Sequence, residues 1–188
     1  MISVLPANLV PFNVQNINGT IYVTYAPAGH SAETTATSGA VAILNPDGTF
    51  TTFSTSSQLA APWGGALAPA GFGAFSGDLL IGNFAYGNLS PLGGEINAYD
   101  PTNGDFLATL DSNSAWQGLW ALTFGNGGSG GSPDILYFTT GLNGETDGLF
   151  AALAAAVPEP STLALLGAGL SLFLWRRRSF RTRDGAAG

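Results

Sequence analysis

The sequence predicts an all-β body built from repeating four-stranded units, followed by one C-terminal transmembrane helix. Three observations carry that reading: short β-branched or aromatic runs recur at a fixed spacing, Gly, Pro and Asx residues punctuate them, and the charge splits sharply near the C-terminus. The 188 residues include 27 glycines and 12 phenylalanines but no cysteine. Through residue 156 the apolar positions alternate in short stretches and rarely follow a helical period, which is the pattern of many short strands. The lack of cysteine is compatible with export without disulfides and does not require it.

The runs repeat. "TIYVTYAP" at 20–27, "DLLIGNFA" at 78–85 and "DILYFTTG" at 134–141 lie about 57 residues apart. Their followers, "GAVAILNPDGTFTTF" from Gly39 and "GEINAYDPTNGDFLATL" from Gly94, each read as a strand, an Asx-Pro turn and another strand, and "GLFAAL" from Gly148 opens a third copy. Ahead of the units stand "PFNVQNI" from Pro11, "WGGALAP" from Trp63 and "GLWALTFG" from Gly118. Four sequential strands joined by tight turns form the blade of a β-propeller. A β-sandwich built from hairpins is the competing reading.

On the propeller reading, residues 1–156 form a partial propeller with blades at 11–57, 64–110 and 118–153, the last with three strands. That is about 2.7 blades, an open arc, whereas closed propellers take at least about four. The end sheets of an arc expose apolar faces and a strand edge, so self-association is expected. The stretch "MISVLPANLVPF" has no basic n-region, long apolar segment or small-residue cleavage site. A secretory leader and further blades are therefore expected upstream of Met1.

The charge split concerns the tail. Through Trp175 the chain carries eleven acidic and no basic side chains, and from Arg176 onward five Arg against Asp184, so a net −11 is followed by +4 within the overall −7. Basic residues beside an apolar span are retained on the cytoplasmic side of a membrane, which places the acidic body outside the cytoplasm. The apolar run 162–175 reaches only about 21 Å of a roughly 30 Å hydrocarbon core. By length alone it suits a buried core helix equally well. Its flanks favour a span over 161–175: Trp175 is an interfacial aromatic, Arg176, Arg177 and Arg178 can snorkel and mark the stop, and 176–188 form an Arg-rich cytoplasmic tail. Pro158 and Pro160 keep the preceding backbone open and non-helical, as a processing enzyme needs.

Val157, Pro158, Glu159 and Pro160, the apolar helix and the terminal Arg cluster together resemble the PEP-CTERM sorting signal of Gram-negative bacteria. The resemblance covers 157–188. It implies export, recognition of the 158–160 region by an exosortase, and residence in the inner membrane with the body in the periplasm. Delivery to the cell surface or extracellular matrix follows, usually in bacteria that make exopolysaccharide. Within the body, the order "GALAP", "DLLIGNF", "EINAYDPTNGDFLATL" resembles NHL-type blades, and residues 10–153 resemble an exported, functionally uncharacterised family of NHL-like propeller proteins.

Chemistry is sparse. The one histidine, His30, sits in a polar loop, and no nucleophile elbow is present. "NGETDG" at 143–148 spaces oxygen ligands like a Ca²⁺ loop, but Ala154 stands where the bidentate Glu belongs. "GNGGSG" at 125–130 matches a dinucleotide fingerprint formally, yet a strand follows in place of the helix whose N-terminus would hold pyrophosphate. An acidic body cannot neutralise nucleic-acid phosphates. Asp47 and Asp100 read as turn residues. The sequence thus assigns no catalytic residue, metal or cofactor. Trp63, Trp116 and Trp120 lie near the beginnings of first strands, where they either wedge between blades or stack against a sugar ring. The favoured reading is a non-enzymatic surface module that binds or structures exopolysaccharide-associated material, with the membrane, an exosortase-type enzyme and polysaccharide as partners. The alternative is an exported propeller hydrolase or lyase whose channel metal is partly supplied from upstream.

Overall fold

A computed structural model describes residues 7–113 and 115–155. They form three antiparallel sheets in which strand order follows chain order. The first holds β1 (Leu9–Ile17), β2 (Thr20–Pro27), β3 (Ala40–Leu44) and β4 (Phe50–Ser54). The second holds β5 (Pro62–Leu67), β6 (Leu79–Asn83), β7 (Glu95–Tyr99) and β8 (Phe106–Ser112). The third holds β9 (Gln117–Phe124), β10 (Ile135–Leu142) and β11 (Asp147–Ala154). One short helix, α1 (His30–Thr34), interrupts the β2–β3 loop that the sequence presents as purely polar. The sorting motif 157–160, the span 161–175 and Trp175 to Arg178 lie outside the described residues. Among the described residues no helix is long and apolar enough to cross a membrane.

Local chemistry sets the turns. Asn18 and Gly19 both take positive φ, 50° and 88°, and the Asn16 side chain accepts from Gly19 N–H at 2.8 Å, which closes β1 onto β2 in the twist a two-residue hairpin needs. Asp47 Oδ1 accepts from both the N–H and the hydroxyl of Thr49, at 2.9 and 2.7 Å, before β4. Asp100 repeats the device ahead of β8, accepting from the N–H and hydroxyl of Thr102 at 2.8 and 2.6 Å. The threonine hydroxyl and then the backbone N–H hold each carboxyl below its ordinary value. "GNGGSG" is likewise a turn: Asn126 Oδ1 accepts from Gly128 and Gly130 N–H, and the chain re-enters a sheet at β10.

The sheets stack face to face and converge on their first strands, so that β5 runs between β1 and β9. Gln15 seals one seam by exchanging two hydrogen bonds with Gly65, donating to its carbonyl at 2.8 Å and accepting from its N–H at 3.0 Å. The other seam depends on Gly64, where a Cβ would collide with the Trp120 carbonyl. Consecutive residues of β6 serve opposite interfaces, as strand geometry dictates. Leu79 and Ile81 pack with Tyr22, Val41 and Phe53 of the first sheet, while Leu80 packs with Leu119, Leu122 and Phe138 of the third. Burial on both faces explains why β6 reads as an unbroken apolar run.

The outward faces of the two end sheets are less covered. Val14 on the first is 65% exposed and Phe150 on the third 69%, the latter stacked on Tyr137 with centroids 5.7 Å apart. Among the described residues β11 pairs with β10 alone, which leaves its other edge open. Residues 1–156, expressed without the tail, are accordingly expected to associate in solution. Light scattering checks this, and a monodisperse monomer with an ordinary cooperative melt would count against it.

Candidate functional site

One end of the three sheets gathers the most chemically varied side chains. There the loops after the second strands (β2, β6 and β10) meet the beginnings of the first strands. The central loop starts at Asn83, which is fully buried and ties three backbone groups: its Nδ2 donates to Gln58 O and Leu92 O, each at 2.9 Å, and its Oδ1 accepts from Ala60 N–H at 3.0 Å. With that anchor fixed, the next residues bridge their neighbours on both sides. Tyr86 N–H donates to Thr34 O of α1 at 2.9 Å, Gly118 N–H of β9 donates to Phe84 O at 3.0 Å, and Gly87 N–H donates to Trp116 O at 2.9 Å.

This bracing builds a connected set of rings. Phe12 of β1 meets Trp63 of β5 edge to face at 4.6 Å and Phe84 at 5.4 Å, while Phe84 reaches Trp63 at 6.2 Å and Tyr86 at 5.9 Å. Such offset and edge geometries are the favourable ones for aromatic pairs. Trp120 packs against the same group. Phe84 and Tyr86 are buried; Phe12, Trp63 and Trp120 each keep part of their surface open to solvent. His30 is exposed beside them, with ring centroids 6.3 Å from Phe84 and 6.2 Å from Tyr86, and its Nδ1 lies 3.9 Å from Glu33.

The third loop adds a carboxylate. Asn143, Gly144 and Glu145 all take positive φ, 51°, 63° and 66°, a rare run that costs about 1 kcal/mol or more at the non-glycine positions. Gln117 Oε1 accepts from Gly144 N–H at 3.1 Å and holds the turn against β9. The result turns Glu145 toward Tyr86. Burial first, and then the Glu145 charge, push the Tyr86 phenol up to about 12. The two groups face each other, and hydrogen bonding to Glu145 adds to the shift, although the contact falls short of a well-formed hydrogen bond and neither the Tyr86 hydroxyl nor Glu145 Oε1 has another partner. Gly118, with φ 63°, leaves room for Phe84 and Glu145, since a Cβ there would stand 3.2 Å from Phe84 and 3.4 Å from Glu145 Oε1. Among the described residues no group of three His, Cys, Asp or Glu is placed to share a metal ion.

Of the three tryptophans singled out by the sequence, the structure brings two together. Trp63 and Trp120 share the ring group, whereas Trp116 packs on Phe138 at 4.7 Å in the core between the second and third sheets. The sequence reading passed over Phe12, Phe84 and Tyr86, and weighed Glu145 only within the "NGETDG" loop. The available signal was positional: Phe84, Tyr86 and Glu145 follow the second run of their units, as His30 does in the first.

The tail supplies the complementary evidence. Residues 156–178 match the PEP-CTERM protein-sorting motif. A chain carrying this motif is exported, associates with the membrane and is processed by an exosortase-type enzyme. The chain is also similar to an uncharacterized protein of Acanthamoeba polyphaga mimivirus, 33% identical over 91 residues, which amount to 46% of this chain and 17% of the viral protein. It therefore spans about a sixth of that relative's length.

Proposed function

We propose that this PEP-CTERM chain is a non-enzymatic, surface-sorted module that binds extracellular polysaccharide on its ring-lined end. In this reading the three sheets are NHL-like blades of an open β-propeller arc, occupying 11–57, 64–110 and 118–153. Residues 161–175 hold the body at the inner membrane until Val157 to Pro160 are recognised, and the body then passes from periplasm to cell surface. The convergence of first strands supports the propeller geometry, because blades of that fold stand side by side on their innermost strands. The observation that carries the binding assignment is the partly exposed Trp63 and Trp120 in one aromatic group at the loop end. Flat rings held by packing present apolar faces to sugar rings at little cost in conformational entropy.

Intrinsic fluorescence of the full-length chain in detergent tests the assignment. The signal is expected to change saturably with bacterial polysaccharide. Trp63→Ala and Trp120→Ala should each weaken the affinity about threefold to tenfold, the loss of one stacked ring. Trp116→Ala should leave affinity unchanged in a chain that remains folded. No response from the folded wild-type chain would reduce the tryptophans to packing residues.

A further inference from the structure

The charge of the ring-lined end narrows the class of polysaccharide, and this inference rests on the binding assignment above. Glu33 and Glu145 border the rings, and every Arg of the chain lies at or beyond Arg176, with no Lys anywhere, so no fixed cation of the body stands near either carboxylate. His30 is the one basic group at this end. We propose that the ligand is a cationic amino-sugar polymer, with free ammonium groups held by Glu145 and the ring faces while the sugars stack on Trp63 and Trp120.

Three observations converge on a cation. Ten acidic and no Lys or Arg side chains in residues 1–156 give the body a field that attracts positive polymers and repels those bearing uronate or sulfate. Glu145 Oε1 has no partner other than the facing Tyr86 hydroxyl, and an ammonium brings three N–H donors where a sugar hydroxyl brings one. Glu145 keeps part of its surface open although Oε1 itself is buried, so a ligand group meets this side chain at its exposed part. The faces of Trp63, Phe12 and Trp120 then add cation–π attraction, for which tryptophan is the strongest partner. A neutral glycan would use the stacking and leave the Glu145 charge uncompensated.

The test titrates the full-length chain in detergent, at low salt and slightly acidic pH, with three oligosaccharides of equal length: a glucosamine oligomer, its N-acetylated counterpart and a galacturonate oligomer. The glucosamine oligomer is expected to bind about tenfold more tightly than the acetylated one, the galacturonate oligomer least, and added salt should erode the preference. Glu145→Gln should remove most of that preference, whereas Trp63→Ala should weaken both oligomers and narrow their ratio less. The salt dependence is read on the unmodified chain and does not depend on any variant folding. If the acetylated or galacturonate oligomer binds as tightly as glucosamine, the cationic class is overturned and glycan binding stands. If none of the three binds while the chain is folded, the binding assignment and this inference fall together.

Discussion

Replacing Arg176, Arg177 and Arg178 together by Glu should convert the chain from predominantly membrane-bound to predominantly soluble or inverted. The substitution turns a +3 flank into −3 at the end of an apolar run that, at fourteen residues and about 21 Å, falls short of a roughly 30 Å core. A run that short depends on its flanks. Snorkelling Arg side chains extend the span to the interface and also mark the side that stays in the cytoplasm. Behind an added secretory leader, the wild-type chain is expected to sediment with membranes and to expose its body to protease on the outer side of the inner membrane. Pro158→Ala with Pro160→Ala should leave that sedimentation intact but let helix run into the motif, so processing slows and the uncleaved chain accumulates. Unchanged sedimentation and topology of the triple Glu variant would mean that the Arg cluster neither stops nor orients the tail.

The fold is legible in the sequence where local chemistry decides it. The runs at 20–27, 78–85 and 134–141 fall on β2, β6 and β10, and the strand-turn-strand segments from Gly39 and Gly94 fall on β3–β4 and β7–β8. Alternation, β-branching and Asx-Pro turns act within a few residues, so they can be read from a few residues. Helix α1 could not be read in that way. Five residues do not make a stable helix alone, and this one is fixed from outside its own segment by Tyr86 N–H on Thr34 O.

The site was less legible for the same reason. Trp116 and Trp120 are four residues apart, yet they enter different interfaces, because Trp116 precedes β9 and turns to Phe138 while Trp120 lies within the strand and joins Phe84. Tyr86 and Glu145 are separated by about one repeat and meet only because β9 stands beside the second sheet. The tail is the opposite case. Its motif, apolar run and charge flank are contiguous, and the match over 156–178 follows from sequence order alone.

The seam that brings Tyr86 to Glu145 should fail with a single methyl group. Gly64→Ala adds a Cβ where the Trp120 carbonyl stands, and the neighbouring backbone at Ala121 and Leu122 leaves no flexible side chain to yield. Backbone cannot rotate away as a side-chain tip can, so β5 and β9 have to separate. The Leu80, Leu119, Leu122 and Phe138 packing between their sheets loosens with them. Gly65, whose own Cβ would meet the movable Cδ1 of Ile17 at 3.2 Å, faces the other seam, so "WGG" gives β5 a bare backbone toward both neighbours. Overpacking of this kind costs about 3 kcal/mol, which for a chain of this size lowers the melting temperature by about 6–12 °C. Gly148→Ala is the control, because nothing lies within 4 Å of its Cβ position and the change should stay within about 0.5 kcal/mol. Thermal melts of the two variants beside the wild type decide the matter. The separation should also relieve the Tyr86 phenol of the Glu145 charge, so its ultraviolet titration should move down from about 12 in Gly64→Ala and stay in place in Gly148→Ala. Equal melts and an unmoved phenol would mean that the two sheets are not joined through Gly64.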